Sequence, residues 1–324
     1  MRIIDMHCDT ISKIQARRMK GRETDINDPT LMANLPALKK GGYALQNFAL
    51  YVDKGEHPFR QVKELLDVFR QEMAANQDRI RQVTDTGQLL ENERDGRLSA
   101  LLTVEEGGVC EGELSKLKFL YEQGVRMMTL TWNYPNELGY PNFSPNRNCY
   151  TPDTEHGLTG TGFAFVQEME QMGMIVDVSH LSDAGFYDVA KVAKKPFVAS
   201  HSNARAVCPW VRNLTDDMIR TLADRGGVIG LNFCGDFLRD DTVGQKAAGL
   251  ADVVRHARHM VNVGGMECVG LGSDFDGIPP YTGMPRAECM EELVEVFRQG
   301  GFSESEIDRI FYGNVFRVYK MILG

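Results

Sequence analysis

The chain has 324 residues, and its 45 acidic and 36 basic side chains give a net charge of −9 that is not gathered into blocks. That balance offers no electrostatic hold on nucleic acid or anionic lipid, and 43% hydrophobic with 25% charged residues excludes a disordered or fibrous chain. Seven cysteines, an odd number with no Cys-x-x-Cys pair, argue against a disulfide framework or a zinc ribbon and for a reducing, cytoplasmic setting. No apolar run reaches the roughly 18 residues of a membrane span, and Asp5 interrupts any signal-peptide core.

In chain order, apolar runs predict strands at 3–8, 44–52, 100–104, 126–132, 174–179, 197–200, 228–233 and 268–273. Helical spacing of apolar residues fills the intervals. Val62, Leu65, Leu66 and Phe69 predict a helix over 59–81, and similar patterns cover 163–172 and 216–225. Gly41-Gly42, Gly124, Gly173 and Gly226-Gly227 stand where helix C-caps belong, each just before a strand.

Eight strands alternating with helices, without a linker, predict an α/β chain folded as one (β/α)8 TIM barrel over 1–324. A doubly wound sheet would carry a glycine-rich phosphate turn after its first strand, and His7-Cys8-Asp9-Thr10 has no glycine there. The stretch 133–162, rich in Pro, Asn, Tyr and Gly, is far longer than a usual βα loop. It follows the fourth strand, so it is expected over the C-terminal mouth, as a surface insertion or as a wall of the substrate pocket.

Chemistry in such a barrel sits where the strands finish. The first ends His7-Cys8-Asp9, and a period of two puts His7 and Asp9 on one face with Cys8 on the other. The third ends Glu105-Glu106-Gly107-Gly108, the fifth Asp177-Val178-Ser179-His180, the sixth Ser200-His201-Ser202 and the eighth Ser273-Asp274-Phe275-Asp276-Gly277. A single histidine at a strand end is an ordinary hydrogen-bonding residue. Three of the seven histidines, together with three carboxylates, finishing strands of one barrel have no such explanation and predict a metal site. Imidazole and carboxylate without thiolate suit zinc and similar ions. Five ligands exceed one open tetrahedral site but serve two ions sharing a carboxylate, either Glu105 or Glu106. His256 and His259 are three apart on a predicted helix without the Glu of a His-Glu-x-x-His site, and they read as a solvated face. Cys208, Cys234, Cys268 and Cys289 read as small buried hydrophobes or idle thiols.

These segments, with Arg212-Asn213-Leu214-Thr215-Asp216-Asp217, resemble in order and spacing the membrane dipeptidase (renal dipeptidase) family of binuclear metal-dependent barrels. The resemblance implies two Zn2+ ions bridged by Glu105 and a hydroxide, one held by His7 and Asp9, the other by His180 and His201. It implies Arg212 as the grip on a substrate carboxylate and Asp274 as the group that moves the proton. The family commonly has a histidine after Thr-Leu-Thr, where this chain reads Thr129-Leu130-Thr131-Trp132-Asn133, so either Trp132 or Asn133 is expected to polarise the scissile carbonyl instead, or the substrate sits differently. The implied activity is hydrolysis of dipeptides, in a family that often forms homodimers; composition and hydropathy add the expectation of a cytoplasmic enzyme with no nucleic-acid or membrane partner. The alternatives are an N-acyl amino acid deacylase on the same metal barrel and a metal-bearing binding protein without turnover.

Overall fold

The structure, a computed structural model, describes residues 1–143, 149–239, 248–279 and 286–324. Its strands, all parallel, are β1 (Ile3–Asp5), β2 (Tyr43–Tyr51), β3 (Ile80–Gln82), β4 (Leu98–Glu105), β5 (Val125–Thr129), β6 (Ile175–Asp177), β7 (Val198–Ala199), β8 (Val228–Leu231) and β9 (Val269–Leu271). Pairing runs β1-β2-β4-β5-β6-β7-β8-β9 and returns to β1, closing the expected (β/α)8 barrel. All eight expected strands are present, and β3 is an addition. It pairs with residues 98–100 of β4, after which β5 takes the same edge from Leu102 onward.

That extra strand corrects the helix expected over 59–81. The helix is Pro58–Ala75, with Asn76 as its C-cap. Its apolar stripe through Val62, Leu65, Leu66, Phe69 and Met73 next meets the polar Asn76 and Gln77, so the apolar face ends there. The Asn76 amide donates instead to Glu72 O at 2.9 Å, and Ile80 turns into the base of the sheet.

Other boundaries follow from caps. Asn34, Thr159, Ser182 and Thr215 each accept a backbone N–H three residues on, opening Leu35–Gly41, Gly160–Met172, Asp183–Val192 and Asp216–Asp224. Gly42 at φ 82° and Gly173 at φ 77° close two helices in the left-handed region, where an L side chain is strained.

Helices pack on the outside of the strands to form the main core. Inside the lower barrel, Ile4, Met6, Leu45, Leu101, Met127, Ile175, Val198 and Val228 meet Val315, Val318, Tyr319 and Ile322. The last four belong to the helix Asn314–Leu323, which fills the N-terminal end of the barrel as a floor. Tyr319 is 1% exposed, and its hydroxyl accepts a hydrogen bond from Asn47 Nδ2 at 2.7 Å. With the floor apolar apart from the Asn47–Tyr319 hydrogen bond, the imidazoles and carboxylates that close the strands gather at the opposite mouth.

Candidate metal centre

Two buried aspartates shape the strand ends. Asp5 Oδ1 accepts the N–H groups of His7 (3.2 Å) and Ser273 (2.9 Å), and Oδ2 accepts the Ser273 hydroxyl (2.6 Å), stapling the end of β1 to the end of β9. Asp177 does the same for its neighbours. Its Oδ1 accepts from Ser179 N and Ser200 N, and its Oδ2 from the hydroxyls of Ser200 and Thr129, both at 2.6 Å. Both replace sheet hydrogen bonds where the backbone must turn and present a ligand. Neither was assigned a role from sequence, although an Asp two residues before a strand-end polar residue is an available signal.

His7 and Asp9 project to one side while Cys8 packs in the outer core, as the period of two requires. His7 Nε2 lies 3.3 Å from Asp9 Oδ2, 3.4 Å from Glu105 Oε2 and 3.9 Å from Asp274 Oδ1. Yet neither His7 ring nitrogen has a hydrogen-bond partner, and Asp9 Oδ1 has none either. The opposite Glu105 oxygen, Oε1, lies 3.0 Å from His180 Nε2 and 3.5 Å from His201 Nε2. Two overlapping groups result, His7 with Glu105 and His201, and His7 with Asp9 and Asp274, each with donor atoms within 4.8 Å of one another. Donors 2.0–2.2 Å from a tetrahedral zinc ion stand about 3.3–3.6 Å apart; the His7–Asp9, His7–Glu105 and His201–Glu105 separations match this, while those of His180 are shorter and that of Asp274 longer.

The tautomers strengthen the fit. His180 Nδ1 donates to Asn133 Oδ1 at 2.8 Å. His201 Nδ1 donates at 2.7 Å to Ser200 Oγ, whose own proton goes to Asp177. Both Nε2 atoms therefore carry lone pairs, and they face each other at 2.9 Å beside a carboxylate. Only a cation relieves that arrangement. Burial and then the Arg212 charge push His180 down to about 4, while burial and the His7 charge hold His201 well below its usual value. Burial opposes ionisation of Glu105, but the His7 charge and the hydrogen-bonding imidazoles hold it well below the carboxylate range. Neutral His180 and His201 and an ionised Glu105 are the forms a divalent ion binds. Against burial, the Glu105 and Asp9 carboxylates hold His7 well above its usual value, so binding there would displace its proton.

Asp274 lies at the mouth of this cluster. Its Oδ2 accepts from Asn232 Nδ2 at 3.0 Å, and Oδ1 faces the centre. Burial, with the neighbouring Asp9 and Glu105 charges, pushes it up to about 8 against the pull of His7. His180 (φ 70°), Asp274 (φ 64°), Asp276 (φ 68°) and Glu106 (φ 87°) are four of six non-glycine residues with positive φ among the described residues. Such strain persists where the surroundings enforce it, and here it surrounds one site.

Glu106 takes no part in the cluster. Its Oε2 accepts Trp132 N at 2.7 Å, and its Oε1 accepts Gly108 N and the Asn136 amide. It clasps the start of the long loop, which begins after β5 and ends at the helix Gly160–Met172. That loop touches β2 through the Tyr134 hydroxyl on Val52 O, and it reaches the Arg212 segment through Asn142 Nδ2 on Val211 O. Residues 144–148, within the expected 133–162 insertion, lie outside the described part.

A pocket of about 370 Å3 opens above the cluster, lined by Asp9, Glu105, His180, Asp274, Trp132 and Asn133, among others. Trp132 stacks into an aromatic wall, its ring 5.0 Å from Tyr51, 5.9 Å from Tyr134 and 6.1 Å from His180. His7, His201 and Arg212 lie deeper and are not among the lining residues. Arg212 is 4% exposed, donates to Ser202 Oγ (3.2 Å) and His201 O (3.0 Å), and leaves Nε without a partner. It pairs with no carboxylate among the described residues.

His256 departs from expectation, whereas His259 is half-buried and paired with Asp216 at 2.7 Å. His256 is fully buried, its Nδ1 accepting Ala204 N and its Nε2 donating to Leu238 O, both at 3.0 Å. It pins the segment between His201 and Arg212. Helical spacing showed a pair of histidines but not which way the face turned. Burial pushes His256 down to about 4, so the unfolded chain takes up a proton that the folded one refuses. Its stabilisation is full above about pH 6.5 and declines as pH falls toward 4, by about 1.4 kcal/mol per pH unit. Denaturant melts of His256→Gln should be shallower in pH by that slope across this window. Parallel curves would remove the assignment.

The site invites comparison with known proteins. A model of the membrane dipeptidase family (peptidase family M19) matches residues 1–323. An uncharacterized dipeptidase of Schizosaccharomyces pombe is 30% identical across 98% of this chain and 80% of its own. An uncharacterized Klebsiella pneumoniae protein from the pqqA 5′ region is 34% identical over 79% of this chain and 94% of its own. Among solved structures, a Rhodobacter sphaeroides metallopeptidase liganded with a phosphinate mimic of the dipeptide L-Ala-D-Ala superposes with a TM-score of 0.90, at 27% identity and 99% coverage of both chains. A sequence match over nearly the whole length, on a barrel whose mouth gathers three imidazoles and three carboxylates, leads to one conclusion: this chain belongs to the membrane dipeptidase family.

Proposed function

We infer that the protein is a zinc-dependent dipeptidase. The observation that carries this reading is the gathering of unpartnered imidazole and carboxylate donors beside a buried guanidinium that has no anion of its own. In this reading His7 and Asp9 would hold one Zn2+, His180 and His201 would hold the other, and Glu105 would serve both. Bound there, the ions supply a water acidified to react at neutral pH and a Lewis acid for the carbonyl. The similar Rhodobacter sphaeroides enzyme, with its dipeptide mimic, supports a dipeptide as substrate.

The chain's own residues do the rest. Asp274, pushed up to about 8 by burial and its carboxylate neighbours, would be returned to its ionised form by nearby cations. It then accepts the water's proton at Oδ1 and delivers it to the leaving amine, with Oδ2 held by Asn232. Because Asn133 Oδ1 is engaged by His180, its amide N–H groups are the part left for the pocket, and they donate to the scissile carbonyl oxygen. Trp132 has one N–H and no proton to exchange, so it serves as an apolar wall. Arg212 binds the substrate's terminal carboxylate, the anion its burial demands. This limits how much peptide extends beyond the scissile bond. The long loop, held by Glu106 and Asn142, walls one side of the pocket. The homodimer implied by the resemblance and the cytoplasmic location expected from cysteine usage belong to the same proposal; among the described residues no helix is long and apolar enough to cross a membrane.

The test is a dipeptide panel assayed with the zinc-loaded protein, after chelation and after zinc is restored. Hydrolysis should vanish and return. Inactivity on every dipeptide, with turnover of N-acyl amino acids, would move the assignment to a deacylase. Arg212→Lys keeps the charge but loses the planar fork, which should raise KM roughly 30- to 150-fold, equivalent to about 2–3 kcal/mol. An unchanged KM would remove Arg212 from carboxylate binding.

A further inference from the structure

One cation at the pocket rim has no counterpart. Lys13 lies on the helix Thr10–Met19 that follows β1, and its N–H bonds to Asp9 O at 2.9 Å. It lines the pocket together with Ser12, Tyr51, Trp132, Ile278 and Pro279. Other cations of that helix are committed, Arg17 to Asp28 at 3.2 Å and Arg18 to Glu72. Lys13 has no carboxylate partner among the described residues. Acids lining the pocket are engaged elsewhere. Asp9, Glu105 and Asp274 crowd His7, while Asp276 accepts from Thr10 Oγ1 and from the N–H groups of Met32 and Ala33. The helix start is fixed, because Ser12 Oγ accepts Tyr51 N at 3.0 Å and donates to Tyr51 O at 3.3 Å. Lys13 is thus a half-buried residue whose backbone is fixed at the rim, and its ammonium is free to meet an anion from outside.

Position decides which part of a substrate it meets. Arg212 follows β7 and Lys13 follows β1, and in the barrel order β8 and β9 stand between them. The end of the substrate that Arg212 holds is therefore not the end that Lys13 reaches. We propose, resting on the dipeptidase reading, that Lys13 selects dipeptides whose N-terminal residue carries a carboxylate side chain. The preferred substrate is then an acidic residue joined through its α-carboxyl to a second residue whose free carboxylate meets Arg212. Such a molecule places one anion on each of the two unpaired cations.

The experiment compares Glu-Ala with Gln-Ala, and Ala-Glu with Ala-Gln, on zinc-loaded protein. Glu-Ala should exceed Gln-Ala in kcat/KM by about fivefold or more, the worth of a partly exposed ion pair. Lys13→Met should bring the ratio to about one, Lys13→Arg should keep it, and Lys13→Glu should invert it. Raised salt should lower the wild-type ratio. A wild-type ratio near one, or a ratio that survives Lys13→Met, overturns the proposal. A preference confined to Ala-Glu overturns the assignment to the N-terminal residue. Should neutral and acidic dipeptides all resist hydrolysis, the dipeptidase reading falls first and takes this inference with it, an outcome distinct from equal rates.

Discussion

Glu105→Gln loses its metal and, with it, on the order of 10^4 or more in kcat. The substitution keeps the volume and one acceptor oxygen but replaces the other with an amide NH2 in a cluster where His180 and His201 both present lone pairs. It also removes the one carboxylate that reaches all three imidazoles, at 3.0–3.5 Å. Elemental analysis of the purified variant beside the wild type checks the first half, and dipeptide hydrolysis checks the second. Full metal occupancy in the variant would exclude Glu105 as the bridging ligand. A thermal melt beside the wild type checks the fold separately, since taking one partner from a buried charge cluster is itself destabilising.

Asp274→Asn has a different signature. Metal content stays at the wild-type level and kcat falls about 10^2- to 10^4-fold, the usual worth of a positioned general acid–base. An amide cannot accept the proton at the atom facing the centre, although its oxygen still takes the hydrogen bond that Asn232 gives to Oδ2. KM should change little, because Asp274 touches the reacting atoms rather than the substrate's ends. Near-wild-type turnover with metal retained would remove the proton role. The pair separates holding an ion from moving a proton: the first variant is empty and inactive, the second loaded and slow.

Much of the scaffold is legible in the chain because its strands are covered on both faces and so appear as unbroken apolar runs. β3 escaped because three residues with one buried side chain carry no such run, and the amphipathic helix before it seemed to continue through them. The cluster was legible for a related reason. Alternation past β1 puts His7 and Asp9 together, and each further imidazole or carboxylate closes a strand of the same ring. Sequence leaves Glu105 and Glu106 open as candidates for the shared carboxylate. The coordinates separate them, one among imidazoles and the other on the amides of Gly108, Trp132 and Asn136. The supporting contacts could not be seen, because their partners are distant in the chain. Asp5 meets Ser273 across 268 positions, and His256 meets Ala204 across 52. Trp132-Asn133 shows the same limit. The side-chain types were readable, but which end of the Asn133 amide faces the substrate depended on His180, 47 residues away.

The helix Asn314–Leu323 that floors the barrel has a consequence for biosynthesis. It is translated after every strand has left the ribosome, so a nascent chain can wind its ring while Leu45, Leu101, Ile175 and their neighbours still face water from below. The greasy underside of that half-made vessel is adhesive until its stopper docks, so folding intermediates that lack the docked helix are the ones most exposed to aggregation.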